Sequence, residues 1–598
     1  VTETVASLLA GHRSGQISIT DTISRTYRRL REANDPAIFI SARDEAEVQE
    51  EARVLSARDP AALPLFGIPV AVKDNIDVAG LPTTAACPAF AYVPERDSEA
   101  VARLRRAGAL IIGKTNLDQF ATGLVGVRSP YGMPRNSLRS DLVSGGSSSG
   151  SAVAVARGIV PLALGTDTAG SGRVPAGLNN IVGLKPSLGL IPTTGVVPAC
   201  RSLDCVSIFA LTAEDAFAAL CVMAGPDEND AFSRNLPLGP LSAPPPALRI
   251  AVPRPADRIH FGDPQAAAAF NAAEEIMRGL GATLVEVDLT PLFDTARLLY
   301  EGPWVAERTV AVGDFIERHP DAVHPVTKSI IMQGANRSAV DTFRAFYKLA
   351  AFRATAARLF TGFDALMVPT FPRPCTIAEL EADPIGPNSG LGTYTNFVNL
   401  LDLAGVAVPV ALTTDRTAYG VTLLASCGRD AFLASLGGAF HARTGLSLGA
   451  LGAPQPTWTP PAPAIAKDEI TIAVVGAHLS GMQLNHELTA LDARFIAATE
   501  TIADYRLFAL NTLPPKPGLL RVAPGSGTPI AVEIWALASG AFGKFVNDVP
   551  SPLSIGSLQL KNGGSVKGFL VEAEAVRDAR DISSFGGWRA YIASRQPD

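Results

Sequence analysis

The 598-residue sequence holds only six cysteines and seven histidines. None of Cys87, Cys200, Cys205, Cys221, Cys375 and Cys427 forms a C-x-x-C pair, and no histidine stands at metal spacing from them. A disulfide framework and a zinc site are therefore not expected, and no metal or other cofactor is indicated. The thiols are expected to be reduced, as in a cytoplasmic protein. No uninterrupted apolar run approaches the roughly 18–20 residues that cross a bilayer, although the mean hydropathy is +0.21. The start lacks the basic residues and apolar core of a secretory leader, and since it begins at Val1, preceding residues are expected to be missing. Basic blocks are also absent, with 51 Lys and Arg against 57 Asp and Glu, so neither nucleic acid nor a membrane surface is an expected partner.

What is present is enough apolar sequence, 47% of residues, to bury a large core. Residues 1–58 read as a helical segment. From about residue 65 onwards, short apolar runs such as GIPVAVKDN, ALIIGKTN, PLALGTD and IVGLKPS alternate with helical patterns. LRIAVPR, ATLVEVDL, DALMVPT and GVTLLAS continue the strand pattern, and residues 338–360 read as a long helix. This alternation predicts an α/β fold with a mixed or largely parallel sheet covered by helices. A proline-rich stretch over residues 453–466 reads as a stiff spacer. It divides a domain over residues 1–452 from a small α+β or barrel-like domain over residues 467–598.

Residues 144–158, SGGSSSGSAVAVARG, pose the functional question, because Gly/Ser-rich stretches are usually linkers. Two companions change the odds. GIPVAVKDN ends an apolar run on Lys73, and GTDTAGSGRVPAG places Ser171 in a glycine-flanked turn. Burial penalises a lysine's charge and prepares it to act as a base. The plain alternative for Lys73 is an ion pair with Asp74 or Asp77. GSSSG also satisfies G-x-S-x-G with Ser148 at its centre, but none of the later histidines stands in a clear strand-end glycine context, so Ser148 is read as a decoy.

Residues 145–187, with the upstream GIPVAVKDN, resemble the amidase signature family. The resemblance implies a Ser–cis-Ser–Lys catalytic group, with Ser171 as nucleophile, Ser147 as the bridging serine in a cis peptide and Lys73 as base. The family's usual GGSSGGS reads GGSSSGS here, with Ser149 in a glycine position. In such a site the N–H groups of Thr168, Ala169, Gly170 and Ser171 can be aimed at a developing oxyanion.

NLDQFATGLVGVRSPYG and the C-terminal VGAHLSGMQLNHEL further resemble the allophanate hydrolases of that family. This implies allophanate as the small-molecule substrate, a functional link to a biotin-dependent urea carboxylase, and a homodimer. It also implies Tyr300 and Arg308 as carboxylate-binding residues; Gly302 and Pro303 suit a helix start, with Arg308 in its second turn and Tyr300 just before it. The alternative for Arg308 is a surface pair with Glu301 or Glu307. The C-terminal domain resembles the γ-glutamyl cyclotransferase-like fold and is implied to assist decarboxylation, with His478 and Glu533 as candidates. A structural histidine, and an edge-strand glutamate facing water, stay open beside that reading. Hydrolysis of malonamate or biuret, or service within an amidotransferase complex, are the competing functions.

Overall fold

The computed structural model describes residues 3–595; Val1 lies outside them. The chain divides into two compact units, one comprising Val1–Leu238, Ile250–Gly279 and Leu284–Trp458, the other Gly239–Arg249, Leu280–Thr283 and Thr459–Asp598.

The first unit is built on an eleven-stranded sheet. Its strands are β1 (Phe39–Ala42), β2 (Pro69–Lys73), β3 (Leu110–Thr115), β4 (Leu162–Asp167), β5 (Val182–Lys185), β6 (Cys205–Ala210), β7 (Leu248–Pro253), β8 (Ala282–Val287), β9 (Ala365–Pro369), β10 (Leu403–Leu412) and β11 (Ala418–Ser426). They lie in the order β1-β3-β2-β4-β6-β5-β10-β11-β9-β7-β8. The sheet is mixed. β2 runs parallel to β3 and β4, and β7 parallel to β9, while β4, β5, β6, β10 and β11 pair antiparallel. Strands β2 to β6 are buried along their whole length, which fits their continuous apolar runs and helices on both faces.

The N-terminal segment forms helices Val5–Ser14, Ile19–Glu32 and Glu45–Ser56, each opened by a capping side chain, from Thr4, Ser18 and Asp44. It is not wholly helical: β1 interrupts it and pairs antiparallel with β3. Four residues are too few to show a period, and only the waiting edge of β3 makes a strand of them.

The second unit contains β12 (Glu469–Val474), β13 (Arg494–Glu500), β14 (Tyr505–Ala509), β15 (Pro517–Arg521), β16 (Ala531–Ala538), β17 (Leu553–Gln559), β18 (Ser565–Val571) and β19 (Arg580–Asp581). Five of these form a sheet in the order β13-β16-β12-β18-β17, and three a second sheet, β15-β14-β19. Its own apolar core centres on Val474, Phe495, Leu507, Trp535 and Leu537. Within the proline-rich stretch, Trp458 donates to Glu214 in the first unit's set of residues, and the Ala464 carbonyl accepts from Arg494 in the second's.

Candidate active site

Strand β2 delivers Lys73 at its C-terminal end, fully buried. Its Nζ lies 2.7 Å from Ser147 Oγ and 2.7 Å from Thr166 Oγ1. Neither adjacent acid claims it. Asp74 pairs with Lys114 at 3.2 Å and accepts from Thr84, while Asp77 accepts from Thr83 and Tyr92. Burial pulls the Lys73 ammonium down to about 7, against the opposing pull of the Asp118, Asp167 and Asp204 carboxylates.

Ser147 sits in the turn that precedes the helix Ser149–Ala156, and the Gly146–Ser147 peptide is cis. The Ser147 carbonyl accepts from the Asp118 N–H at 3.0 Å. The Asp118 carboxylate in turn accepts from the N–H groups of Val125, Gly126 and Arg128 at 3.2, 2.9 and 2.9 Å. This packing explains one glycine of the motif: a Cβ on Gly146 would stand 2.1 Å from Asp118 Oδ2. Ser149, in the unusual position, turns its hydroxyl onto the Asn116 carbonyl at 3.4 Å. The Ser148 hydroxyl donates to the Thr166 carbonyl at 3.2 Å, and no histidine bonds to it among the described residues.

Ser171 lies just beyond β4, in a turn held by Asp167. That carboxylate accepts from the N–H groups of Gly170 and Gly172, both at 3.0 Å, and from Arg173 Nε and Nη2, both at 2.9 Å. Asp167 and Arg173 are both fully buried. Two paired N–H···O bonds across a planar fork fix orientation as well as charge. Gly170 has φ of +131°, and a Cβ there would stand 2.4 Å from Thr395 Oγ1, so no other residue fits this step. Asp167 holds the Gly170 N–H, whereas the N–H groups of Thr168, Ala169 and Ser171 make no hydrogen bond among the described residues. The Thr168 hydroxyl donates to Asp204, which also accepts from Ala199 N (2.8 Å) and Cys200 N (3.2 Å). Ser171 makes no hydrogen bond to Ser147 in this structure.

Arg308 and Tyr300 come to the same region from two helices. Tyr300 ends the helix Thr290–Tyr300, and Arg308 lies in the second turn of the helix Trp304–Arg318, which Pro303 precedes. The Arg308 guanidinium stands 5.6 Å from the Tyr300 ring centre. It is buried, 2% exposed, and has no acidic partner among the described residues. Glu307, its neighbour, accepts instead from the Ser202 N–H and hydroxyl. Arg308 donates from Nη1 to Thr122 Oγ1 at 2.9 Å, and its Nε is left without a partner. Thr122 spends its own proton on the Phe120 carbonyl at 3.1 Å, which turns its oxygen towards the guanidinium.

Several residues here carry no sequence signal of their own. Thr166, Asp118, Thr122 and Asp204 act on partners that are 93, 29, 186 and 36 residues away in the chain, respectively. Thr166 lies inside the same GTDTAGS run as Ser171, and Asp118 and Thr122 inside NLDQFATG, but these runs mark a segment and not the part each side chain plays.

The C-terminal candidates do not meet one another. His478 lines a cavity of 510 Å³ with Glu487, Lys516, Lys544 and Phe569. Its Nε2 lies 2.8 Å from Glu487, and its ring stacks on Phe569 at 5.2 Å. Burial lowers its pKa, partly opposed by Glu487. Glu533 does not line that cavity. It lies on β16, an interior strand, 2% exposed, and accepts from Ser480 N (2.7 Å), Ser480 Oγ (2.8 Å), Trp535 Nε1 (3.2 Å) and Arg589. It is a buried acid, not an edge residue facing water.

This geometry has clear relatives. Residues 21–433 match the Amidase family model, and residues 470–593 match that of the allophanate hydrolase C-terminal domain. The structure superposes on an allophanate hydrolase of Kluyveromyces lactis with a TM-score of 0.79 and 41% identity, covering 99% of each chain. Urea amidolyase of Saccharomyces cerevisiae is 44% identical over 580 residues, which cover 93% of this chain and 31% of that protein. The chain thus spans about a third of the length of the urea amidolyases it matches. One subunit of the glutamyl-tRNA(Gln) amidotransferase of Thermus thermophilus is 34% identical over 459 residues, which cover 72% of this chain and 95% of that one. With the family model matched over more than two-thirds of its length, the chain belongs to the amidase family.

Proposed function

We propose that the chain is an amidohydrolase that cleaves allophanate to ammonia and CO2, with Ser171 as nucleophile, Ser147 as proton bridge and Lys73 as base. The observation that carries this reading is a buried lysine brought down to about 7 and set 2.7 Å from a serine hydroxyl, together with a buried arginine that makes no salt bridge among the described residues. A neutral Lys73 can take a proton, and the Ser147 hydroxyl can give one and receive one in the same step. Arg308 and Tyr300 hold the substrate carboxylate, for which a planar guanidinium is the matching group.

In this scheme Ser171 passes its proton through Ser147 to Lys73 and attacks the terminal carbamoyl carbon. The oxyanion is received by the N–H groups of Thr168, Ala169 and Ser171; Gly170 contributes by keeping the turn open. Lys73 returns the proton through Ser147 to the leaving nitrogen, and ammonia departs. Water, deprotonated by the same relay, releases N-carboxycarbamate. Loss of CO2 gives carbamate, which falls apart to ammonia and CO2.

The same reading gives the C-terminal unit a part in that decarboxylation. The supporting feature is His478, whose pKa burial lowers and which lines the 510 Å³ cavity. Glu533, saturated by Ser480, Trp535 and Arg589, is a structural residue in this scheme. A cytoplasmic homodimer belongs to the same proposal, as does a functional link to a biotin-dependent urea carboxylase, and the similarity to urea amidolyases supports that link alone.

The test is ammonia release by the purified chain from allophanate, malonamate, biuret and simple amides, beside Ser171→Ala. Turnover of allophanate that Ser171→Ala abolishes is the expected result. Turnover of acetamide but not allophanate would keep the relay and overturn the roles of Tyr300 and Arg308. No turnover of any amide would favour a chain that works only within a complex.

A further inference from the structure

A cavity of 280 Å³ opens in the first unit, and none of Lys73, Ser147, Ser171, Tyr300 or Arg308 lines it. Three guanidiniums and three carboxylates face it: Arg201, Arg234, Arg353, Asp204, Asp230 and Asp402. The charges balance, but the hydrogen-bond commitments do not. Asp402 is gripped by both its oxygens by Arg234, at 2.8 and 2.9 Å. Asp230 accepts from the Thr193 N–H and hydroxyl at 2.7 and 2.9 Å and from the Phe232 N–H at 3.0 Å. Asp204 has one oxygen on Ala199 and the other on Cys200 and Thr168. Every carboxylate is therefore spoken for.

Two guanidiniums are not. Among the described residues Arg201 has only the Phe232 ring, 5.7 Å from its carbon centre. Arg353 uses Nε on the Leu400 carbonyl at 2.8 Å, and its two terminal nitrogens have no partner among the described residues. A guanidinium carries five donors in a fixed fork, and two such forks turned into one small cavity match the oxygens of a small oxyanion.

The position of Arg201 gives that cavity a line to the reaction centre. It belongs to the segment 199–204, of which Asp204, Ser202 and Cys200 are bound to the elements that carry Ser171 and Arg308. Asp204 holds Thr168 in the turn before Ser171. Ser202 holds Glu307, next to Arg308. Cys200 Sγ donates to the Trp304 carbonyl, at the start of the Arg308 helix, at 3.4 Å. Arg201 is the exposed side chain of this run.

We propose that the cavity binds a small oxyanion between Arg201 and Arg353, and that its occupancy changes turnover through the segment 199–204. The site is separate from the carboxylate anchor at Arg308 and holds an effector, not a substrate.

Thermal unfolding of the full chain, titrated with inorganic phosphate against sodium chloride of matched ionic strength, tests the binding. A bicarbonate arm distinguishes a tetrahedral dianion from a planar monoanion as the natural occupant. A saturable rise in Tm is expected for the wild type and for Arg308→Gln, because a ligand held by the native state alone stabilises it by mass action. The double variant Arg201→Gln/Arg353→Gln should bind about tenfold more weakly or less, having lost its charge-assisted bonds. A double variant that responds like the wild type, or a wild type that responds no more than to chloride, overturns the site. For the coupling, kcat for ammonia release at saturating allophanate should change over the same anion range as Tm in the wild type and stay flat in the double variant. A wild-type kcat that stays flat overturns the coupling. The Tm arm needs no substrate, so failure of the proposed function and failure of this site read out separately.

Discussion

Lys73 Nζ lies as close to Thr166 Oγ1 as to Ser147 Oγ, 2.7 Å in each case. Thr166 also accepts from Asn75 Nδ2 at 3.3 Å, so its oxygen is a fixed acceptor shared by two donors. A neutral amine has two hydrogens and one lone pair. With one hydrogen held by Thr166, the amine is restrained from rotating its lone pair away from Ser147. Thr166→Val should therefore lower kcat by about tenfold, the cost of one hydrogen bond to the neutral amine. It should also move the acid limb of the pH profile down, because a bond to the ammonium form is lost. Thr166→Ser should restore both. An unchanged limb in Thr166→Val would assign Thr166 to packing alone.

The acid limb itself follows from Lys73. A lysine lowered to about 7 is protonated and inert as a base below that pH, and neutral and competent above it. The pH profile of kcat/KM should rise through about pH 7 and level off above, with no rise near the ordinary lysine value. Lys73→Met should lower kcat by about 10⁴-fold or more and remove the limb, as loss of one member of a catalytic unit does elsewhere.

Thr122 orients Arg308, so its loss should be felt in binding more than in chemistry. Thr122→Val keeps the shape and removes the acceptor from Nη1. KM for a carboxylate-bearing amide should rise about tenfold, with kcat and the turnover of neutral amides little changed. Thr122→Ser should recover the KM. An equal loss on neutral and acidic amides would mean that Thr122 supports the loop and not the arginine.

In the second unit, Glu533 and Arg589 make a testable stability claim. Glu533→Ala removes the acceptor of Ser480, Trp535 and Arg589 together, and should cost about 2–3 kcal/mol. His478→Ala, at the cavity wall, should cost less. Denaturant unfolding of the two variants, followed by tryptophan fluorescence, measures the difference.

The sequence displays those parts of the molecule that are local. The buried strands β2 to β5 read directly from their apolar runs, and the stretches that hold Lys73, Ser147 and Ser171 from their resemblance to the amidase signature. The ten-residue β10, entirely apolar but for its proline and glycine, does not declare itself, nor does β6. Short apolar runs look the same whether they will be strand, helix or loop, and only their neighbours decide. The supports of the site are hidden for a related reason. Asp118, Thr122 and Asp204 are ordinary polar residues until folding brings distant donors to them. Phe120 and Ala121, both with φ of +52°, show the same limit, since nothing in QFAT announces a left-handed turn.

The loop over residues 118–128 touches both halves of the reaction. Its first residue pins the Ser147 carbonyl, and four residues later Thr122 carries the Arg308 guanidinium. In the proposed reaction, substrate choice and bond cleavage thus both rest on one short piece of backbone, closed on itself by a single carboxylate. Evolution or design that seeks a new amide cannot edit this piece freely, because a change that suits a new acyl group would also displace the relay. The open direction is the helix Trp304–Arg318, where a side chain at position 308 can be exchanged while the loop that faces it stays as it is.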